Sequence, residues 1–342
     1  MLAATRTPEL NHPVHPPGRC ASMNRRGGVL LLAFVAILPA VQAQSGKWPE
    51  RPVRMIVPFP PGGSPDVLAR LLAPKLTEEF GQQFVVDNRA GAGGTIGAEI
   101  AVRANPDGYT VAVVPSSYAT SAALYKLPYD PVKAIAPIAM IAVGPSVLVA
   151  HPSVKAANLK EFIDLARAKP GLLNFGSSGV GSTPHLAVEL LRQMTRTEMV
   201  HVPYKGAGPA VVDVIGGQIQ FMIASGPALI PHVKAGRLRA FAVTTEQRSP
   251  VMPDVPAIAE QVPGYSVSGW NAMWAPAGAP KGIVSRLNRA LAQILEQPEV
   301  QERLRADGRE PAHSSPEELT RVIARDIATW SKVVKNGNIK LD

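Results

Sequence analysis

Cysteine is all but missing from this chain. Its 342 residues hold one, Cys20, which lies ahead of the first apolar run. A disulfide scaffold, a thiol nucleophile and a cysteine-based metal site are excluded on that ground. A chain of this length can instead rest on ordinary hydrophobic cores. Aromatic residues are few, at 5%, and lysine and arginine form no block interleaved with them, so the pattern of a nucleic-acid binder is absent. The apolar run from Gly27 to Ala40 falls short of the ~20 residues that a membrane span needs. The formal charge is +9, but Arg6, Arg19, Arg25 and Arg26 against Glu9 place +3 of it in residues 1–43, and 9 less 3 leaves +6 on the remainder. That mild field could recruit small anions, and it equally describes a solvated basic surface.

Catalytic patterns are missing too. Ser177, Ser178 and Ser182 sit on a glycine-rich turn after a strand, much as a hydrolase nucleophile would. Yet the chain has neither a Gly-x-Ser-x-Gly elbow nor a Ser-x-x-Lys pair. Asp213 with His185 and a serine is the one triad left to consider. No His-Glu-x-x-His pattern, dinucleotide fingerprint or Gly-Lys-Ser/Thr run occurs, so no metal and no cofactor is expected.

What the chain does have is punctuation, 34 prolines and 29 glycines with no low-complexity tract to explain them, so they mark many short connections between elements. The beginning reads as a leader. Met23-Asn24-Arg25-Arg26 is a basic start, Gly27 to Ala40 the apolar run, and Val41-Gln42-Ala43 a small-residue cleavage pattern. Residues 1–43 are expected to be a non-mature extension and signal peptide, with Met23 the true start, cleavage near Ala43 and a periplasmic destination.

Three stretches then share one design, glycine, a capping position and proline opening a helical pattern. They are Gly62-Gly63-Ser64-Pro65, Gly181-Ser182-Thr183-Pro184 and Gly206-Ala207-Gly208-Pro209. Proline suits the first helical position because its missing N–H would be unpaired there. The neighbouring amides have no intrahelical partner and lie at the positive end of the helix dipole. Each stretch therefore reads either as a plain helix start or as an anion cradle made of main chain. Replacing Ser182 by proline is expected to remove one such donor and abolish binding with little loss of fold.

From Trp48 onward, β-branched runs alternate with helical patterns, the mark of α/β architecture with parallel strands. One unit runs to about residue 147. A long β-rich stretch, Ile138 to Ala150, follows without a helix of its own, and a second unit spans 148–270. The chain then turns extended around Trp270 and Trp274 and ends in helices that return to the first unit. The expectation is a two-lobed clamp, 44–147 plus 271–342 against 148–270, with a cleft outside the carboxyl ends of the strands.

The order of motifs resembles the Bug-type (TctC-like) extracytoplasmic receptors of tripartite tricarboxylate transporters. The resemblance is carried by Trp48-Pro49, Ile56-Val57-Pro58-Phe59-Pro60-Pro61-Gly62-Gly63-Ser64-Pro65-Asp66, Asn88-Arg89-Ala90-Gly91-Ala92-Gly93-Gly94-Thr95 and Ala104-Asn105-Pro106-Asp107-Gly108-Tyr109. It continues through Gly176-Ser177-Ser178-Gly179-Val180-Gly181-Ser182-Thr183-Pro184-His185, Val202-Pro203-Tyr204-Lys205-Gly206 and Gly269-Trp270. It covers about residue 47 to the end, and only Ala224-Ser225-Gly226 departs from the family pattern. The resemblance implies a type II periplasmic-binding-protein fold, with two α/β lobes joined by two crossing segments and a ligand cleft between them. It also implies a small organic carboxylate as ligand and integral membrane transporter subunits as partners. A sensor that reports to a membrane kinase would use the same fold. A monomer is expected.

Carried over by position, Phe59, Gly62, Gly63, Ser64 and Asp66 form a first-lobe loop that meets ligand partly through water. Gly181, Ser182, Thr183 and His185 form the main second-lobe loop, and Tyr204, Lys205 and Gly206 the third. Ser116, Ser177 and Ser225 complete the candidate contacts. Lys205 reads as a counter-charge or a solvated lysine, and His185 as an anion donor or a packed cap. Asp66 reads as a partner for ammonium or water, or as an acid favouring its own helix start. A hydrogen bond to a charged group is worth ~1.5–3 kcal/mol and micromolar affinity needs ~8 kcal/mol, so four or five bonds suffice without a buried arginine. The expected ligand has one or two carboxylates and no essential amino group.

Overall fold

The computed structural model describes residues 48–341 apart from 205 and 251; the leader, Cys20 and Lys205 lie outside the described residues. The first half opens with β1 (Val53–Val57), α1 (Ser64–Phe80), β2 (Phe84–Asn88), α2 (Thr95–Val102), β3 (Thr110–Pro115) and α3 (Ser117–Leu124), then runs into β4 (Ile135–Ala150). Next come α4 (Leu159–Ala168), β5 (Asn174–Ser177), α5 (Thr183–Thr195), β6 (Val200–Pro203), α6 (Ala207–Ile215), β7 (Phe221–Ser225), α7 (Gly226–Lys234) and β8 (Arg239–Val243). The chain closes with β9 (Ser268–Pro276), α8 (Lys281–Glu296), α9 (Pro298–Ala306), β10 (Glu310–Pro311) and α10 (Pro316–Asn336).

Among the described residues the strands form one continuous sheet in the order β2-β1-β3-β9-β4-β7-β5-β6, with β8 and β10 paired to β4. β1 lies parallel to β2 and β3, and β5 parallel to β6 and β7. Between these two parallel groups run the antiparallel crossings β9 and β4. Parallel strands covered by helices on both faces are buried on both faces. Accordingly Val53, Met55 and Val57 of β1 pack with Leu68, Leu72 and Leu76 of α1 and with Leu287, Leu291 and Ile294 of α8.

β4 is shared. Ile135 to Pro145 pair with β9, whereas Ser146 to Ala150 pair with β7 and Val147 to Ala150 with β8. The second crossing is fastened to the first at the point where the partners change. The amide of Thr244 donates to Ser146 O at 2.9 Å, and its Oγ1 accepts from the Ser146 amide at 3.1 Å and donates to Val267 O at 2.6 Å. The amide of Val267 donates back to Thr244 O at 2.8 Å. With Thr244 fully buried, these bonds are shielded from water.

α3 and α7 are helices that the sequence pattern does not announce, and two sequence expectations need correction. The last helix does not return to the first half alone. α10 packs on α3 and β4 and also on α5, with Gln193 Nε2 of α5 donating to Val333 O at 2.9 Å. Finally, each proline-bearing helix starts earlier than its proline. Pro65 and Pro184 take the second helical position and Pro209 the third, where an amide would equally lack an intrahelical partner. No described helix is long and apolar enough to cross a membrane.

Candidate ligand site

The loop between β1 and α1 is tied down by Asp66, which is 2% exposed. Asp66 Oδ2 accepts from the Gly62 amide at 2.8 Å and from Arg70 Nε at 3.1 Å. Its Oδ1 accepts from Asn88 Nδ2 at 2.9 Å, and the same nitrogen donates to Phe59 O at 3.0 Å. Burial alone would raise the Asp66 pKa, but the bonds from Arg70, Gly62 and Asn88 outweigh it and hold the carboxyl below its usual range. This carboxylate is occupied by the chain itself, so it shapes the loop rather than waiting for an ammonium group.

The loop between β5 and α5 is built the same way, from behind. Ser177 is fully buried; its Oγ accepts from the Gly179 amide at 3.1 Å, donates to Gly179 O at 3.0 Å, and lies 2.6 Å from His201 Nε2. Ser182 caps α5, its Oγ accepting from the His185 amide at 3.4 Å and donating to Gly179 O at 2.7 Å. His185, 5% exposed, accepts the Gly181 amide on Nδ1 at 3.0 Å and stacks on His201 with ring centroids 3.8 Å apart. Burial pushes both imidazoles down, His185 to about 3 with help from His201 and Arg192, and His201 to about 4 with help from Arg192. Both are therefore neutral at pH 7. An accepting Nδ1 places the His185 proton on Nε2, 3.7 Å from Glu189 Oε1.

These bonds decide which amides remain. The Ser182 amide donates to Gly179 O at 3.2 Å, so it is part of the turn. A proline at 182 would therefore undo that turn rather than simply delete a donor, so the fold of the loop is lost together with binding. Among the described residues, the amides of Val180 and Thr183 donate to no protein group.

The third loop is more open. Gly206 caps α6 at φ 108. Tyr204 donates its hydroxyl to Asp213 Oδ2 at 2.6 Å; burial, with that bond, pushes its pKa up to about 12. Asp213 is thus engaged by Tyr204 while His185 serves Gly181 and Ser177 is sealed from solvent, so the one conceivable triad is not assembled. Ser225 caps α7, which continues Gly226-Pro227. This is a fourth helix start of the same design, and the sequence reading did not recognise it as one.

A cavity of about 400 Å³ lies between the halves. Phe59 and Gly93 bound it on one side, Ser117, Ser121, Leu124 and Tyr125 of α3 on another, and Ser178 with Val180 to Pro184 face them, with Leu341 at the edge. Of the expected contacts it brings together Phe59, Gly181, Ser182 and Thr183. A Cβ on Gly181, whose φ is 74, would overlap Leu124 Cδ1, so only glycine lets these two elements approach. Asp66, Ser177 and His185 stand behind the loops, and Gly62, Gly63, Tyr204, Gly206 and Ser225 lie outside the lining. Ser64 Oγ donates to Asn271 Oδ1 at 3.2 Å; Asn271 is 4% exposed, and its Nδ2 has no partner among the described residues. Ser116 faces instead, with Thr183, a separate cavity of about 570 Å³ bounded by Tyr265 to Ser268 and Trp330.

Residues 68–339 match the family model for the tripartite tricarboxylate transporter family receptor. The chain belongs to that family. The receptor is 39% identical over 316 residues to Protein BugT of Bordetella pertussis, covering 91% of this chain and 96% of BugT. Among solved structures it is similar to that of R. palustris Rpa4515 with adipate, at TM-score 0.73 and 39% identity over 86% of this chain and 99% of that one. MatC from Rhodopseudomonas palustris with bound malate gives TM-score 0.69 and 32% identity over 84% and 99%. The fold is the two-lobed α/β arrangement of type II periplasmic binding proteins, and the chain is a solute-binding receptor of the Bug family, not an enzyme.

The sequence pattern gives no sign of the α3 wall of this cavity, Ser117 and Ser121 included. It also missed Val180, which no residue-type argument marks, since its contribution is an amide freed by its neighbours' bonds. Asn271 could have been found, as a lone amide side chain beside Trp270 in an otherwise apolar strand.

Proposed function

We propose that this receptor is exported to the periplasm, with the leader removed near Ala43, and captures a small organic carboxylate for delivery to a tripartite tricarboxylate-type membrane transporter. Residues 44–147 with 271–342 act as one lobe and 148–270 as the other. The observation that carries the reading is the start of α5. There the amides of Val180 and Thr183 donate to no protein group and both residues line a cavity, at the positive end of a helix dipole. Two such donors suit one carboxylate. Adipate and malate in the related structures support the class.

Thr183→Pro is the sharper test of this geometry. Ser182, before it, is already extended at ψ 155, as a residue preceding proline prefers, and the first helical position tolerates proline. Thr183→Pro should leave the melting temperature within ~3 °C of the parent and weaken carboxylate binding by roughly 10- to 150-fold, the loss of one hydrogen bond to a charged group. Thr183→Val keeps the amide and should bind within about threefold of the parent. Calorimetry on both decides it, and equal affinities for the two would remove the amide from the site. A thermal-shift panel of carboxylates against neutral sugars and amines tests the ligand class itself.

A further inference from the structure

Phe59, Gly93 and Ser121 line the cavity of the proposed carboxylate site and also a second, smaller one that adjoins it. The smaller cavity holds about 10 Å³ of free space, room for no more than one water. Pro58, Ala98, Val114, Tyr118 and Leu127 give it mostly apolar walls. Tyr129 lines it too, and its hydroxyl is buried without a partner among the described residues. Of the three shared residues, Gly93 has no side chain and Ser121 a small one, fixed by its Oγ donating to Gly93 O at 2.9 Å. Phe59 is the large one, and it is half-buried. Its backbone is held by Asn88 Nδ2, which donates to Phe59 O at 3.0 Å, while its ring rests by packing alone. A Cβ at Gly94, whose φ is 97, would come within 3.0 Å of ring atoms Cε2 and Cζ, so glycine is what lets the ring lie there.

Resting on the reading of this cavity as the carboxylate site, we infer that the Phe59 ring sets the length of ligand that the receptor accepts. A carboxylate at the Val180 and Thr183 amides is held by the second half of the chain, and Phe59 belongs to the first half across the same cavity. The ring closes off an apolar space that would otherwise lengthen that cavity. A ligand too long for it must displace the ring or give up its hold on the amides. Removing the ring joins the two spaces, and each further methylene buried there raises affinity about fourfold.

The experiment is calorimetry on the purified protein with two straight-chain series, butanoate to decanoate and succinate to sebacate. Phe59→Ala should move the tightest-binding length up by about two methylenes in whichever series binds, and strengthen the longest acids by roughly tenfold or more. Phe59→Leu should move it less. Phe59→Ala combined with Ala98→Leu, which refills the opened space from α2, should return the length profile of the parent. An optimum in Phe59→Ala equal to that of the parent overturns the inference and leaves the carboxylate receptor standing. So does loss of binding at every length in both Phe59→Ala and Phe59→Leu, which would make the ring a contact and not a limit. A double variant that folds and keeps the longer optimum takes the adjoining cavity out of the account. Absence of binding by every acid to the parent overturns the carboxylate reading and the inference with it.

Discussion

Asp66→Ala should cost this receptor about 3–5 kcal/mol and remove measurable ligand binding at the same time. The substitution takes away the one acceptor shared by the Gly62 amide, Asn88 Nδ2 and Arg70 Nε. Arg70, more than half exposed, returns to water cheaply. The other two donors do not, and a hydrogen bond to a charged group is worth ~1.5–3 kcal/mol with a further penalty for a buried donor left unmade. Because Asn88 also holds Phe59 O, the loop that brings Phe59 to the cavity loses its second anchor as well. At ~2 °C or more per kcal/mol for a chain of this size, the melting temperature should fall by roughly 6–10 °C. Asp66→Asn keeps a carbonyl for Gly62 but not the charge facing Arg70, and should fall about half as far. A melting temperature within 2 °C of the parent for Asp66→Ala would show that the loop holds without its carboxylate.

Mild acid should destabilise the fold well before ordinary carboxylates titrate. His185 and His201 are held neutral, with pKa values near 3 and 4, while in the unfolded chain they take up protons near 6.5. The unfolded state binds more protons in between, so the contribution of the pair is complete above pH 6.5 and is lost as pH falls toward 4 and then 3. One pKa unit corresponds to ~1.4 kcal/mol, so at pH 5 each histidine withdraws about 2 kcal/mol. Arg192 opposes protonation of either ring, and Glu189 beside His185 favours it. Protonation of His185 would also turn the acceptor at Gly181 into a donor, so ligand affinity should fall over the same range. Melting temperature followed from pH 7.5 to 4.5 reads the first effect. His201→Gln, which keeps a hydrogen-bonding amide for Ser177 without titrating, should flatten the slope by about half, and an unchanged slope would show that other groups control it.

Much of this architecture is legible in the residues, because hydrophobic period and turn chemistry agree along most of the chain. Asn158 announces α4 and does cap it, accepting from the Glu161 amide at 3.0 Å. α3 is hidden because Ser-Tyr-Ala-Thr-Ser-Ala-Ala-Leu has no apolar stripe of its own and its cap residue, Ser116, makes no capping bond. α7 is hidden by Pro231 within it, which reads as a break. For the candidate site, residue type points to loops that border the cavity but not to individual atoms. Glycine, serine and proline before a helix mark a place where amides are free in principle. Whether Ser182 or Thr183 keeps its amide depends on where Gly179 O sits, and that is a property of the folded turn. His185 shows the same limit, since its role as an acceptor for Gly181 follows only from its burial against His201.

The strand shared by the two halves has a consequence for how binding is felt. A side chain lost from β4 is lost to both neighbours at once, and a slip in its register would turn residues from one face to the other across the entire sheet. Neither half can be cut free, exchanged with that of a relative or melted on its own. Ligand energy gained at one cavity is thus distributed over every residue that unfolds with it, and a single transition temperature reports occupancy for the whole molecule.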